Sequence, residues 1–108
     1  MEITEKQAGT GWTVLVISGA LDARTAPELE AACRARVEAG ARRLAVDLAA
    51  VSYLSSAGLR ALLLVLKLIG KQGGELTLVG PTGVAREVLE VAGFLQLFKV
   101  VADATQLA

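Results

Sequence analysis

Strand-like and helix-like segments alternate along this chain of 108 residues. That alternation predicts an α/β fold on a mostly parallel sheet, with right-handed crossovers placing successive helices together. A short glycine-bearing turn between the first two strand-like runs predicts an antiparallel edge at the N-terminus. The strongly apolar segment Leu59 to Ile69 is broken by Arg60 and Lys67. It falls well short of the roughly 20 residues a membrane span needs, so it reads as a buried helix. The expected architecture is a mixed sheet of four to five strands with the helices mainly on one face, in a single domain over residues 1–108.

The elements follow in order. Ile3 to Gln7 and Thr13 to Ser18 read as strands joined by Ala8-Gly9-Thr10-Gly11. Val14 to Ile17 is continuously apolar, as a strand covered on both faces would be. Thr25 then opens a helix in a capping-box pattern, with Glu28 three residues on and Pro27 in the first turn. Leu29, Cys33, Arg36 and Val37 recur at helical spacing, and Gly40 suits a left-handed stop. Leu44 to Leu48 is the next strand, and Asp47 near its end either faces the following turn or caps a local one. The helix from Ser56 to Gln72 carries Leu59, Leu62, Leu63, Leu66 and Ile69 on one face. Leu64 and Leu68 widen its apolar arc, to be covered by a neighbouring helix or by a partner. Glu75 to Gly80 is a strand, Pro81-Thr82 opens a helix that Gly93 stops, and a strand is expected around Phe98 to Val100. A last short helix covers Asp103 to Leu107.

Composition excludes several kinds of chemistry. Lys+Arg and Asp+Glu are both 11, so no net charge draws the chain to nucleic acid or to an anionic membrane surface. With no histidine and one cysteine, a metal centre would have to be built of carboxylates, and none cluster in the sequence. No disulfide can form within the chain, which fits a reducing cytoplasm. The N-terminus, with Glu2, Glu5 and Lys6, lacks a signal peptide's apolar core. There is no phosphate-binding loop of the G-x-x-x-x-G-K-[ST] form and no nucleophile elbow. No cofactor, metal or catalytic residue is expected.

The segment Val51 to Leu59 is the most informative. It places Ser55 and Ser56 at the start of the central helix, at the carboxyl end of a buried strand, the edge where open α/β sheets meet ligands and partners. Unpaired N–H groups there suit an anion or a phosphoryl group. On residue types alone the two serines are either an N-cap pair or a phosphoacceptor.

Two longer motifs carry a resemblance. Gly19-Ala20-Leu21-Asp22-Ala23-Arg24-Thr25-Ala26-Pro27-Glu28-Leu29 resembles the first motif of STAS domains, the family of bacterial anti-sigma factor antagonists. Tyr53-Leu54-Ser55-Ser56-Ala57-Gly58-Leu59 resembles their second motif, in which Asp-Ser-Ser/Thr-Gly-Leu follows an aromatic or apolar pair. Gly73-Gly74-Glu75-Leu76 and Val91-Ala92-Gly93-Phe94-Leu95 are similar to the family's final strand and helix end. The resemblance implies a protein without catalysis of its own. It would bind an anti-sigma factor that is also a serine kinase, freeing a sigma factor until the kinase phosphorylates it. Carried over, Ser56 is the acceptor and Asp22 the loop aspartate beside it. With Leu64 from the wide apolar arc of the central helix, the expected partner surface comprises Asp22, Thr25, Ser55, Ser56, Gly58, Arg60 and Leu64. The sequence departs from the motif at Ser55, where the family has aspartate, and at Ala57, where it has a second hydroxyl, so Ser55 is a rival acceptor. The alternative within the family is a subunit that clamps the ATPase of a lipid-transporting ABC system, or a stress-signalling scaffold unit, without a phosphorylation switch. Either role implies a cytoplasmic protein with no nucleic-acid partner and no membrane insertion, and leaves the oligomeric state open.

Overall fold

The computed structural model describes residues 1–108. Five strands form one sheet in sequential order: β1 (Glu2–Ala8), β2 (Trp12–Leu21), β3 (Arg43–Leu54), β4 (Glu75–Val79) and β5 (Lys99–Val101). β1 pairs antiparallel with β2, and every later pair is parallel. The crossovers carry α1 (Ala26–Glu38), α2 (Ser56–Lys71), α3 (Gly83–Val91) and the single turn α4 (Phe94–Leu97). A short 3-10 turn, Ala104–Gln106, follows β5.

Alternation along the strands sorts the core into two layers. Leu15 and Ile17 of β2, Leu44, Val46 and Leu48 of β3, and Leu76 and Leu78 of β4 point to the helix side. There they meet Leu29, Cys33 and Val37 of α1, Leu62, Val65 and Ile69 of α2, and Leu89 of α3. On the other side Trp12, Val14, Ala45 and Val79 are sealed by Leu107 from the C-terminal segment. The expected one-sided helical layer is therefore present, and in the run Val14 to Ile17 only Val16, on the face away from the helices, is half-buried. Burial pushes the Cys33 thiol up to about 12, so it stays protonated and serves as packing.

The central strand is longer than expected. β3 runs on from Leu48 to Leu54 because the ten-residue β2 gives it a partner as far as Leu21 opposite Leu54. Register shifts after Val16 and after Gly19 interrupt the alternation that would have revealed this. Asp47 sits at the first irregularity, where its Oδ1 accepts the Ala49 N–H at 2.9 Å. Six residues of strand then separate it from Leu54, roughly 20 Å of rise, so it caps a local irregularity and does not face the Ser56 turn.

The rotation of α2 also differs. Its buried stripe is Gly58, Ala61, Leu62, Val65 and Ile69, while Leu59, Leu66 and Leu68 are only partly covered. Leu64 is 45% exposed. Leu68 is thus partly covered within the chain, and Leu64 is left to solvent. Leu62→Ala should cost about 2–5 kcal/mol, whereas Leu64→Lys should stay within about 0.5 kcal/mol of wild type. Urea melts check this, and equal losses would mean that α2 presents a different face to the sheet.

Candidate functional site

The carboxyl ends of β2 and β3 are fastened together by one carbonyl. Leu21 O accepts the N–H of Ser55 at 3.0 Å, joining the loop after β2 to the turn that opens α2. Gly58 lies against the same carbonyl: a Cβ there would stand 2.7 Å from Leu21 O and 2.8 Å from Leu54 Cδ1. Only glycine fits, because the first of those atoms is backbone. The position of Gly58 in turn fixes which side of α2 faces inward. Gly19, ahead of this junction, has φ +91 at the second register shift, a conformation suited to glycine.

The loop from Asp22 to Thr25 is folded on itself. Asp22 Oδ1 accepts the N–H groups of Arg24 at 3.0 Å and Thr25 at 3.3 Å, and Asp22 O accepts that of Ala26 at 2.8 Å. Asp22 therefore satisfies the donors ahead of α1. The expected capping box of Thr25 and Glu28 does not form: Thr25 has helical backbone angles and its side chain caps nothing. Its hydroxyl instead donates to Ala20 O at 2.8 Å and accepts from the Asp22 N–H at 2.9 Å. At 8% exposure, Thr25 braces the loop from within. The Arg24 N–H is the main reason that the Asp22 carboxyl lies below its usual 3.8; partial burial opposes this, and the Thr25 N–H adds to it.

The two serines are not equivalent. Ser55 is half-buried with extended backbone, and its Oγ accepts the Gly58 N–H at 3.3 Å as the N-cap of α2. Ser56 is the first residue of α2, is exposed, and its hydroxyl has no protein partner. Of the residues expected from the sequence, Asp22, Thr25, Ser55, Ser56 and Gly58 converge on this one edge. Arg60 and Leu64 lie one and two turns further along the outer side of α2, both exposed. Two neighbours were not singled out: Arg24, whose N–H holds Asp22, and Tyr53, 51% exposed at the end of β3. Their signals were an amide two residues after a loop aspartate and an aromatic side chain next to the inward-facing Leu54.

The STAS domain family model matches residues 3–106, nearly the entire chain. The chain belongs to the STAS domain family. BtrV of Bordetella bronchiseptica, whose name assigns it as an anti-sigma factor antagonist, is 41% identical over 83% of this chain and 78% of its own. The anti-sigma-B factor antagonist of Staphylococcus aureus is 32% identical over 78% of each chain. A crystal structure of an anti-sigma factor antagonist from Mycobacterium paratuberculosis superposes with a TM-score of 0.78 at 32% identity, covering 92% of this chain and 85% of that one. The motif edge of this STAS domain holds no group of three or more His, Cys, Asp or Glu side chains that could grip a metal. No helix is long and apolar enough to cross a membrane.

Two outcomes test the geometry of the edge. Gly58→Ala should lose about 1–2 kcal/mol, overpacking outweighing the better helix propensity of alanine. Gly70→Ala, on the same helix with nothing within 4 Å, should be neutral or gain slightly; denaturant melts that rank the two variants the other way would refute the close contact. Asp22 has its carboxyl pKa lowered by folding, so its stabilisation is complete above the ordinary carboxylate range and is lost as pH falls through the folded value. Asp22→Asn should therefore differ from wild type by a constant amount above about pH 5 and converge on it as the medium is acidified below about pH 4. Urea midpoints over that range measure the effect, and parallel curves would contradict it.

Proposed function

We propose that this STAS domain is an anti-sigma factor antagonist whose partner, an anti-sigma factor with serine kinase activity, switches it off by phosphorylating Ser56. The observation that carries the reading is the division of labour between the serines. Ser55 Oγ is engaged as a cap, while the Ser56 hydroxyl stands free and exposed at the first residue of α2. The relatives named as anti-sigma factor antagonists support the partner class. In the modification the Ser56 oxygen bonds to the γ-phosphorus of ATP, the bond to ADP breaks, and the hydroxyl proton passes to a base on the kinase. This chain contributes the acceptor alone and no catalytic group. The reading places it in the cytoplasm, with the sigma factor and ATP.

The modification suits the fold. A phosphate adds about −1.5 to −2 charges, and a helix N-terminus favours an anion by roughly 0.3–1 kcal/mol. The cost falls on the complex. A partner covering Asp22, Tyr53, Ser56 and the outer side of α2 would have to desolvate the phosphate, and each 1.4 kcal/mol is about tenfold in affinity. The switch thus blocks an interface without refolding the domain. Ser55 in place of the motif aspartate favours a second reading, a constitutive clamp or scaffold that docks through the same edge without being phosphorylated.

Incubation with the cognate kinase and ATP, followed by peptide mass spectrometry, separates the two. Labelling should map to Ser56 and vanish in Ser56→Ala, which keeps partner binding. Ser56→Asp should fold normally and bind at least about tenfold more weakly. Labelling that persists in Ser56→Ala and disappears in Ser55→Ala would move the acceptor. No labelling by an active cognate kinase would leave the constitutive role.

A further inference from the structure

Along the outer side of α2, Arg60 follows Ser56 by four residues, the spacing that brings side chains together on a helix, with Cβ atoms about 5–6 Å apart. Side chains on a helix lean toward its N-terminus, so an arginine at this spacing can reach back over the turn that holds Ser56. Both residues are exposed. Arg60 forms none of the ion pairs of the structure, which join Arg36 to Glu5 and link Glu75 to Arg43 and Lys99. It also makes no side-chain hydrogen bond, unlike Arg42 and Arg43, whose guanidinium groups are held by backbone carbonyls. From Ser56 to Lys71 the helix carries no acidic residue, so nothing on α2 competes for Arg60. On the loop fastened to this turn the charged groups are Asp22 and Arg24; Asp22 Oδ1 is engaged by the Arg24 and Thr25 N–H groups, and Asp22 forms no ion pair.

We propose that Arg60 is the intramolecular counter-ion of a phosphoryl group on Ser56. The inference rests on the reading of Ser56 as the acceptor and adds a regulatory element to it. The planar guanidinium can meet two phosphate oxygens at once, a pairing stronger and more directional than a lysine would give. The consequence for a partner is double. Modification places a dianion on the edge and also draws in Arg60, the first cation of the outer side of α2. A partner whose carboxylate pairs with Arg60 in the unmodified protein would lose that contact at the moment it meets the phosphate.

Arg60 is a positioning residue in this scheme, so its test reads the phosphate itself. Phosphoserine is placed at position 56 by genetically encoded incorporation, which requires no kinase, and the second phosphate pKa, ordinarily about 6, is followed by phosphorus NMR. It should lie about half a unit lower in the chain with Arg60 than in Arg60→Gln. Arg60→Lys should restore part of the difference, and Arg24→Gln should leave it unchanged. The unphosphorylated Arg60→Gln protein should keep the wild-type urea midpoint, so that a changed titration reports pairing and not folding. Equal titrations in the wild-type background and Arg60→Gln would overturn the proposal, as would a shift abolished by Arg24→Gln alone. A kinase that never labels Ser56 would refute the switch but leave this titration intact, so the two failures are distinguishable.

Discussion

The bond from the Ser55 N–H to the Leu21 carbonyl, with Gly58 packed on that carbonyl, is the constraint on which the rest of the structure depends. It ties the end of β2 to the start of α2 at one point. Because Gly58 must face that point, Ala61, Leu62, Val65 and Ile69 are turned inward at steps of three and four residues. The same rotation leaves Ser56, Arg60 and Leu64 outward in a row. The buried core and the exposed edge of this helix thus follow from a single close approach, and a residue with a side chain at position 58 would disturb both.

The Asp22 loop adds a second, electrostatic layer. Its carboxylate accepts two N–H groups that open ahead of α1, and the Thr25 hydroxyl donates to the Ala20 carbonyl near the end of β2. The loop is rigid by internal bonds and joined to the Ser55 turn by Leu21. Two surfaces from distant parts of the sequence are consequently presented as one. In the proposed switch, a partner that reads both would sense the state of Ser56 without the domain changing shape, which is the physical content of a switch by occlusion.

Much of this was legible in the sequence where local chemistry is decisive. The glycine turn between β1 and β2, the stop at Gly40 and the serine pair ahead of an apolar helix each have one strong local signal. The start of α1 misled because the Thr25 hydroxyl turns back to Ala20 O, the Glu28 N–H it would have capped goes to Thr25 O, and the Thr25 N–H that Glu28 would have reached is taken by Asp22 Oδ1. The end of β3 was hidden by irregularities that put Ala49 and Ala50 together at the surface. In α2 the leucines outnumber the positions that can be buried. Hydropathy alone favours Leu63 and Leu66 over Ala61 and Gly58, whereas the backbone contact selects the small residues.

The departure at Ser55 can be weighed on the same terms. A serine caps α2 through Oγ as an aspartate would through a carboxylate, so the turn keeps its geometry and loses one negative charge. Asp22 does not simply replace that charge, since its Oδ1 is committed to two amides and only Oδ2 remains free. Among the motif residues of the edge, Asp22 is then the one carboxylate beside Arg24 and Arg60, one negative charge fewer than with an aspartate at position 55. In the proposed switch, holding the metal-bound nucleotide during phosphoryl transfer would fall to the kinase. Within that proposal the missing charge favours the product of the transfer, because a phosphate on Ser56 would meet less like charge than beside the aspartate of the family motif. In the proposed switch, Ser55 and Arg60 act in the same direction: one removes repulsion and the other supplies attraction, so the off-state is stabilised by the chain itself.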